Sequence, residues 1–402
     1  MKFTEALQIG KSADAGAPPF SCVLSCGFAS LDLEAFLAAH LQRALPNRKV
    51  RVRSGLFGDL VGIIEFTGQS YKDEPGVHGV AIALEWQDLD PRLGYREGGS
   101  WGPSTLQEIV GGSRAALARI SGAVEALPAG TRVAVCLPTL PLPPLFHAPS
   151  WQMSEAEAAL DEAVSAFASR HVQRKGVGLV NARRLELISP AGTRYHVQND
   201  LLGGLPYTMA HADAVAESLS KLLIPGSPKK GVITDLDDTL WHGIVGEIGA
   251  EGVLWDLASH HAIHGLYQKL LGSLSEEGVL IGVASKNDPA AVGKVFERGD
   301  LLLKADRIFP IEVHWNAKSG SVGNILNAWN ISADSVVFVD DSPMELAEVA
   351  AAHPGIECLL FPRDDNDAAL AAMRRLRDLC GKATLSADDS LRLDSLRQGA
   401  IF

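Results

Sequence analysis

Short apolar runs that break off into polar residues, separated by amphipathic helical stretches, recur along the whole of this chain. That alternation is the pattern of an α/β architecture with mostly parallel sheets, because parallel strands are joined by helical crossovers and buried on both faces. In the first half the runs are CVLSC, VRVRS, GVAIALEW, RVAVCLP and GVGLV. Between them, stretches such as LDLEAFLAAHLQRAL repeat apolar residues at spacings of three and four, as helices with one buried face do. The segment IPGSPKKG interrupts the series with Pro, Gly, Ser and paired lysines, and reads as a linker. A second series then opens with GVITDLDD, continues with GVLIGVASKND and reaches SVVFVDDSP. A chain of 402 residues exceeds the usual domain size, so two domains are expected: 1–224, a linker at 225–230, and 231–380. A helical tail, SADDSLRLDSLRQGAIF, is expected within 381–402.

Charge narrows the partners. With 36 Lys+Arg against 48 Asp+Glu the net charge is -12, which argues against nucleic acid or an anionic membrane as the main partner. No stretch approaches the ~18 apolar residues of a membrane span, and the start MKFTEALQIGKSADAGAPP has no apolar signal core. Five scattered cysteines, with Cys22 and Cys26 read as strand packing, suit a reducing compartment, so a cytoplasmic location is the expectation.

The carboxylates carry the chemistry. Asp235, Asp237 and Asp238 follow directly on an apolar run, at what a parallel sheet would make the carboxyl end of a strand, where functional groups gather. Ionised acids this close persist only when a cation or a shared proton relieves their repulsion. A second apolar run ends in Asp340 and Asp341, and oxygen donors in this number suit a hard cation of the Mg2+ type. Ser285 follows a third run, and Lys318 lies downstream; a hydroxyl and an ammonium are what the charged oxygens of a transferring phosphoryl group require.

The order DxDxT, Ser, Lys, DD resembles the haloacid dehalogenase (HAD) superfamily of phosphohydrolases and phosphotransferases, over roughly Lys229 to Pro362. The resemblance implies a HAD-like Rossmannoid domain with Asp235 as nucleophile, Asp237 as general acid and base, and Thr239 as the hydroxyl that orients Asp237. It makes Ser285, with Lys286 and Asn287 beside it, the phosphate-binding segment, and Lys318 the charge-stabilising lysine. Asp235, Asp340 and Asp341 become Mg2+ ligands, with Asp237 joining them through its backbone carbonyl. Trp241 and His242, directly after the nucleophile loop, are expected to touch substrate, and His261 and His264 to pack or to face it.

DLDDTLWHGIVGEIGAEGV, ASKND and VFVDDSPMELAEV further resemble the FkbH-like branch, subclass IIIC. Some members load a glyceryl unit from 1,3-bisphosphoglycerate onto an acyl carrier protein, and others are HAD-IIIC phosphatases. Where many loaders carry a cysteine beside the motif serine, this chain has Ala284, which cannot hold a thioester. Relatives often continue into an acyltransferase-like domain; none follows the tail here, which fits either a shortened chain or a member without acyl transfer. The expectation is therefore a phosphatase acting on a phosphorylated small molecule or carrier-bound substrate in secondary-metabolite or polysaccharide biosynthesis. Glyceryl transfer to an acyl carrier protein and a non-catalytic scaffold are the alternatives. Too few residues separate Asp237 from Ser285 for a large cap, so the site should be open.

The first half resembles, more faintly, a degenerate SGNH-hydrolase-like domain of SGNH/flavodoxin-like α/β type. PYTMAHADAVAESL places His211 where a catalytic base would stand, but VLSCGFAS and LEWQDLD lack the nucleophile and oxyanion blocks, and Thr208 replaces the acid. A binding or capping role is expected of it.

Overall fold

The computed structural model describes residues 1–10, 16–70, 77–96, 102–144, 148–383 and 385. The tail stretch 386–402, expected to be helical, lies outside them. The chain divides into two compact units, Met1–Gly226 and Ser227–Phe402. Each is α/β with a five-stranded parallel sheet.

In the first unit the strands are β1 (Pro19–Ser25), β2 (Lys49–Ser54), β3 (Val77–Ala83), β4 (Arg132–Cys136) and β5 (Val177–Leu179). Their order, β2-β1-β3-β4-β5, is the flavodoxin-like doubly wound order. Alternation along the strands explains why helices cover both faces. Cys22, Leu24, Ala81, Ala83, Ala134 and Cys136 point into a core shared with the helices Leu31–Ala44 and Met209–Leu223. Val23, Val80, Ile82, Val133 and Val135 point into the opposite core, with the helices Pro103–Glu125 and Glu155–Val172. Cys22 and Cys26 are thus buried packing residues, as their place on an apolar run suggests.

The second unit, a Rossmannoid α/β domain, has β6 (Gly231–Thr234), β7 (Leu280–Ser285), β8 (Ile308–Val313), β9 (Val336–Asp340) and β10 (Glu357–Leu360), in the order β10-β9-β6-β7-β8. Successive connections leave β6 toward β7 on one side and return to β9 on the other, so the crevice of this sheet opens between the carboxyl ends of β6 and β9. Between β6 and β7 the chain forms only a flap, with the short helix Val245–Ile248, and the helix Ala262–Glu276. His242 and Leu254 pair as an antiparallel bridge that closes the flap at its base. No large cap is inserted there.

One close approach fixes the helix that carries Lys318. This helix, Lys318–Trp329, ends in a buried indole seated over two bare backbone positions. A Cβ at Gly231 would meet the Trp329 ring at 2.5 Å, and one at Gly282 would meet it at 2.9 Å. The Trp329 indole N–H also donates to the Phe309 carbonyl at 2.6 Å. Together these lock the helix against β6, β7 and β8.

Candidate active site

Asp235 stands one residue past β6, its backbone N–H donating to the Val339 carbonyl at 3.0 Å, which brings it beside the end of β9. Asp340 ends β9, fully buried, and Asp341 follows it. Lys318, at the first turn of its helix, places its ammonium between two of these acids, 2.8 Å from Asp235 Oδ2 and 2.6 Å from Asp340 Oδ2. Burial alone would lower the lysine's pKa, but Asp235 and Asp340 together outweigh it and push it up to about 12. The ammonium therefore stays charged. Asp340 Oδ1 accepts from the Ser342 backbone N–H at 2.9 Å, at the start of the helix Pro343–Ala352.

One lysine does not neutralise three acids. Ligand oxygens of Asp235, Asp340 and Asp341 lie within 4.8 Å of one another, the only such group of potential metal ligands among the described residues. Burial, then the charge of Asp235, raises the Asp340 carboxyl and pushes Asp341 up to about 6. The other oxygen of Asp235, Oδ1, is buried without a hydrogen-bond partner. A buried, unpartnered carboxylate oxygen is costly unless something positive meets it. An all-oxygen donor set with surplus negative charge fits a hard divalent cation.

Asp237 is held differently. Its Oδ1 accepts from the Trp241 indole N–H at 2.8 Å and the Val245 backbone N–H at 3.2 Å. Its Oδ2 accepts from the Asn287 amide at 2.8 Å. Burial nevertheless outweighs these three bonds and raises its pKa, which suits a group that must carry a proton. With its side chain so engaged, Asp237 stands outside the carboxylate cluster of Asp235, Asp340 and Asp341.

Several expected contacts are redistributed. Thr239 does not orient Asp237: its hydroxyl is buried and unpartnered, and Trp241, Val245 and Asn287 do that work. Trp241 is fully buried edge-on against Phe296, so it positions Asp237 and does not face substrate. Asn287, also buried, serves Asp237 in the same way. Ser285 ends β7, buried, at the same carboxyl edge of the sheet. Lys286 is drawn to Glu345, at 2.8 Å. His242, partly exposed, stacks on His261 with ring centroids 3.7 Å apart, whereas His264 is buried and bonded through Nδ1 to the Thr239 carbonyl at 2.9 Å.

Arg363 escapes sequence reasoning, and so does the part played by Asp238, which the sequence shows only as one of three clustered acids. Asp238, in a left-handed conformation (φ 52), accepts from the Gly243 backbone N–H at 2.8 Å. Arg363, on the loop after β10, donates through Nη1 to Asp238 Oδ2 at 2.9 Å and to Asp341 Oδ2 at 3.3 Å.

In the first unit, His211 is fully buried with both ring nitrogens engaged, Nδ1 by the Ser189 hydroxyl and Nε2 by the Thr139 hydroxyl, each at 2.8 Å. Burial pushes it down to about 3, so it is a neutral packing group. Thr208 caps the helix Met209–Leu223. A crevice of about 350 Å³ opens at the carboxyl ends of β1, β2 and β3, with Gly27, Phe57, Asp88 and Arg96 among its walls. This is the switch point of the sheet, where doubly wound folds take ligands.

No helix among the described residues is long and apolar enough to cross a membrane. No family model and no curated protein sequence matches the chain. Among solved structures it is similar to the N-terminal part of the protein BF1531 from Bacteroides fragilis, which contains a phosphatase domain complexed with Mg. That likeness has a TM-score of 0.73 at 17% identity and covers 96% of this chain and 100% of the other. An extracellular lipase from Streptomyces rimosus aligns over 52% of this chain and 97% of its own, at 15% identity and a TM-score of 0.33, too low to bear on the fold. The likeness to the Bacteroides protein is one of fold: the chain shares its α/β architecture.

Proposed function

We propose that the second unit is a Mg2+-dependent phosphohydrolase of the HAD type, acting through an aspartyl phosphate at Asp235 on a phosphorylated metabolite. The observation that carries this is the unpartnered, buried oxygen of Asp235 inside a carboxylate cluster that Lys318 only partly neutralises. The Mg-bound phosphatase domain of similar fold supports the same reading. Asp235, Asp340, Asp341 and the Asp237 carbonyl would hold the ion, which when bound supplies charge neutralisation for the phosphoryl oxygens.

The chain's own residues divide the rest. An Asp235 oxygen attacks phosphorus and the bond to the leaving oxygen breaks, while Asp237 gives that oxygen its proton. Asp237, now ionised, takes a proton from water; the hydroxide attacks phosphorus and the Asp235–phosphorus bond breaks, releasing phosphate and restoring both acids. Lys318 keeps positive charge against the phosphoryl oxygens as negative charge builds there.

Hydrolysis is favoured over glyceryl loading by the thiols as well as by Ala284. Cys22, Cys26, Cys136 and Cys380 are buried and Cys358 is half-buried, and burial raises every one of their pKa values. None is a ready thiolate. Ala284 itself is fully buried in the core with Ile325 and Trp329. Incubation with 1,3-bisphosphoglycerate and a carrier protein should therefore leave no glyceryl adduct on the protein in intact-mass spectra.

Phosphate release from p-nitrophenyl phosphate and a panel of phosphorylated sugars and glycerates tests the activity. EDTA should lower turnover by about 100-fold or more, and added Mg2+ should restore it. Turnover indifferent to EDTA, or absent across the whole panel, would sink the reading.

Trp241→Phe should lower kcat about tenfold while leaving the melting temperature within a few degrees. The indole N–H bonds the ionised form of Asp237, so its loss lets the already raised pKa climb further and moves the pH optimum upward. A pH–kcat profile that does not move would show that the indole is packing alone.

A further inference from the structure

The guanidinium of Arg363 joins two acids that belong to different loops. Asp238 comes from the nucleophile loop after β6, Asp341 from the loop after β9, and Arg363 from the loop after β10. A single nitrogen, Nη1, serves both acids, one N–H for each, at 2.9 Å and 3.3 Å, so it sits between them and closer to Asp238. Arg363 is half-exposed, and its remaining neighbour, Asp364 at 3.5 Å, is almost wholly in solvent. Asp238 is nearly buried and held in a left-handed backbone conformation by the Gly243 N–H on its other oxygen. That makes Asp238 the fixed partner and Asp341 the one that can change hands.

Resting on the metal-site reading above, we propose that Arg363 is a positioning residue that competes with the divalent cation for Asp341, and that Asp238 is the anchor that limits how firmly Arg363 can hold it. Without the cation, Arg363 neutralises the acid that Lys318 does not reach and keeps the cluster from springing apart. With the cation, Asp341 turns to it and Arg363 stays with Asp238. The pair thereby sets how tightly the site takes its metal, through residues that need not be ligands themselves.

The signs of the two substitutions are opposite. Arg363→Ala removes a positive charge and a competitor, so the cation should bind about tenfold tighter. Arg363→Gln should act likewise, and Arg363→Lys should fall between, since an ammonium keeps the charge but is more strongly hydrated and so holds a half-exposed carboxylate less firmly. Asp238→Asn keeps an oxygen for Gly243 but loses the anchor, so Arg363 turns wholly to Asp341 and binding should weaken about fivefold. If that weakening runs through Arg363, Asp238→Asn placed on Arg363→Ala should change affinity by less than about twofold.

The measurement is Mn2+ binding to the full chain, followed by electron paramagnetic resonance of free Mn2+, with thermal melts confirming that each variant is folded. Arg363→Ala and Arg363→Gln binding no tighter than the parent would overturn the proposal while leaving the metal site standing. So would an Asp238→Asn effect of equal size in both backgrounds, which simple loss of negative charge would give. A parent chain that does not bind Mn2+ at all would overturn the proposal together with the metal-site reading.

Discussion

Asp235→Asn should abolish phosphate release, by about 10⁴-fold or more, and leave a folded protein that melts higher in EDTA than the parent. The loss of activity follows because an amide oxygen is a poor nucleophile and cannot form a phosphoryl intermediate that water would turn over. The gain in stability follows from the same geometry. Asp235 and Asp340 share one ammonium, at 2.8 Å and 2.6 Å, and Asp235 raises the pKa of both Asp340 and Asp341. Making position 235 neutral leaves Lys318 and Asp340 as a balanced pair. Strain held at a reacting centre is released when the reacting group is removed. Phosphate release and melting curves with and without Mg2+ check both halves; residual turnover above about one per cent would mean that another group attacks phosphorus.

Lys318→Met should be damaging to fold and function alike. The lysine side chain is almost fully buried between two carboxylates, and removing one partner of a buried ion pair leaves charge that nothing compensates, at a cost of about 3–5 kcal/mol. Turnover should fall about 10³-fold, because the substituted site has no cation of its own against the transferring oxygens. Mg2+ should raise the melting temperature of this variant more than that of the parent, since the ion then meets two unneutralised acids. A variant that melts like the parent in EDTA would show that the acids carry protons there and that the lysine is not what keeps them together.

The strand-end acids are legible in sequence because an apolar run that stops at a carboxylate has few other meanings in a parallel sheet. Asp235 and Asp340 do lie at the ends of neighbouring strands. Both edge strands of the second sheet are harder to read. β8 carries Pro310 in its middle and Glu312 near its end, and β10 is four residues long, so the apolar run of each is broken or short and does not read as a buried strand. Arg363 is invisible for the same reason: it follows a strand that periodicity does not announce, and an arginine among aspartates usually means a solvated loop. Trp241 is visible as a residue but not as a role, because an aromatic beside a nucleophile loop reads equally well as a substrate platform or as a wall. Only the packing against Phe296 and the reach of its N–H to Asp237 decide between them.

The seating of Trp329 over Gly231 and Gly282 carries the site's geometry to the opposite end of the sheet. The helix between that indole and Lys318 is 12 residues long, roughly 18 Å of nearly rigid rod, so whatever lifts its far end tilts the ammonium at its near end. Two positions with no functional group at all therefore have authority over where a positive charge sits. A methyl group there would act on the chemistry as a shim acts on a lever, and changes that look conservative and remote would be read out at the carboxylates.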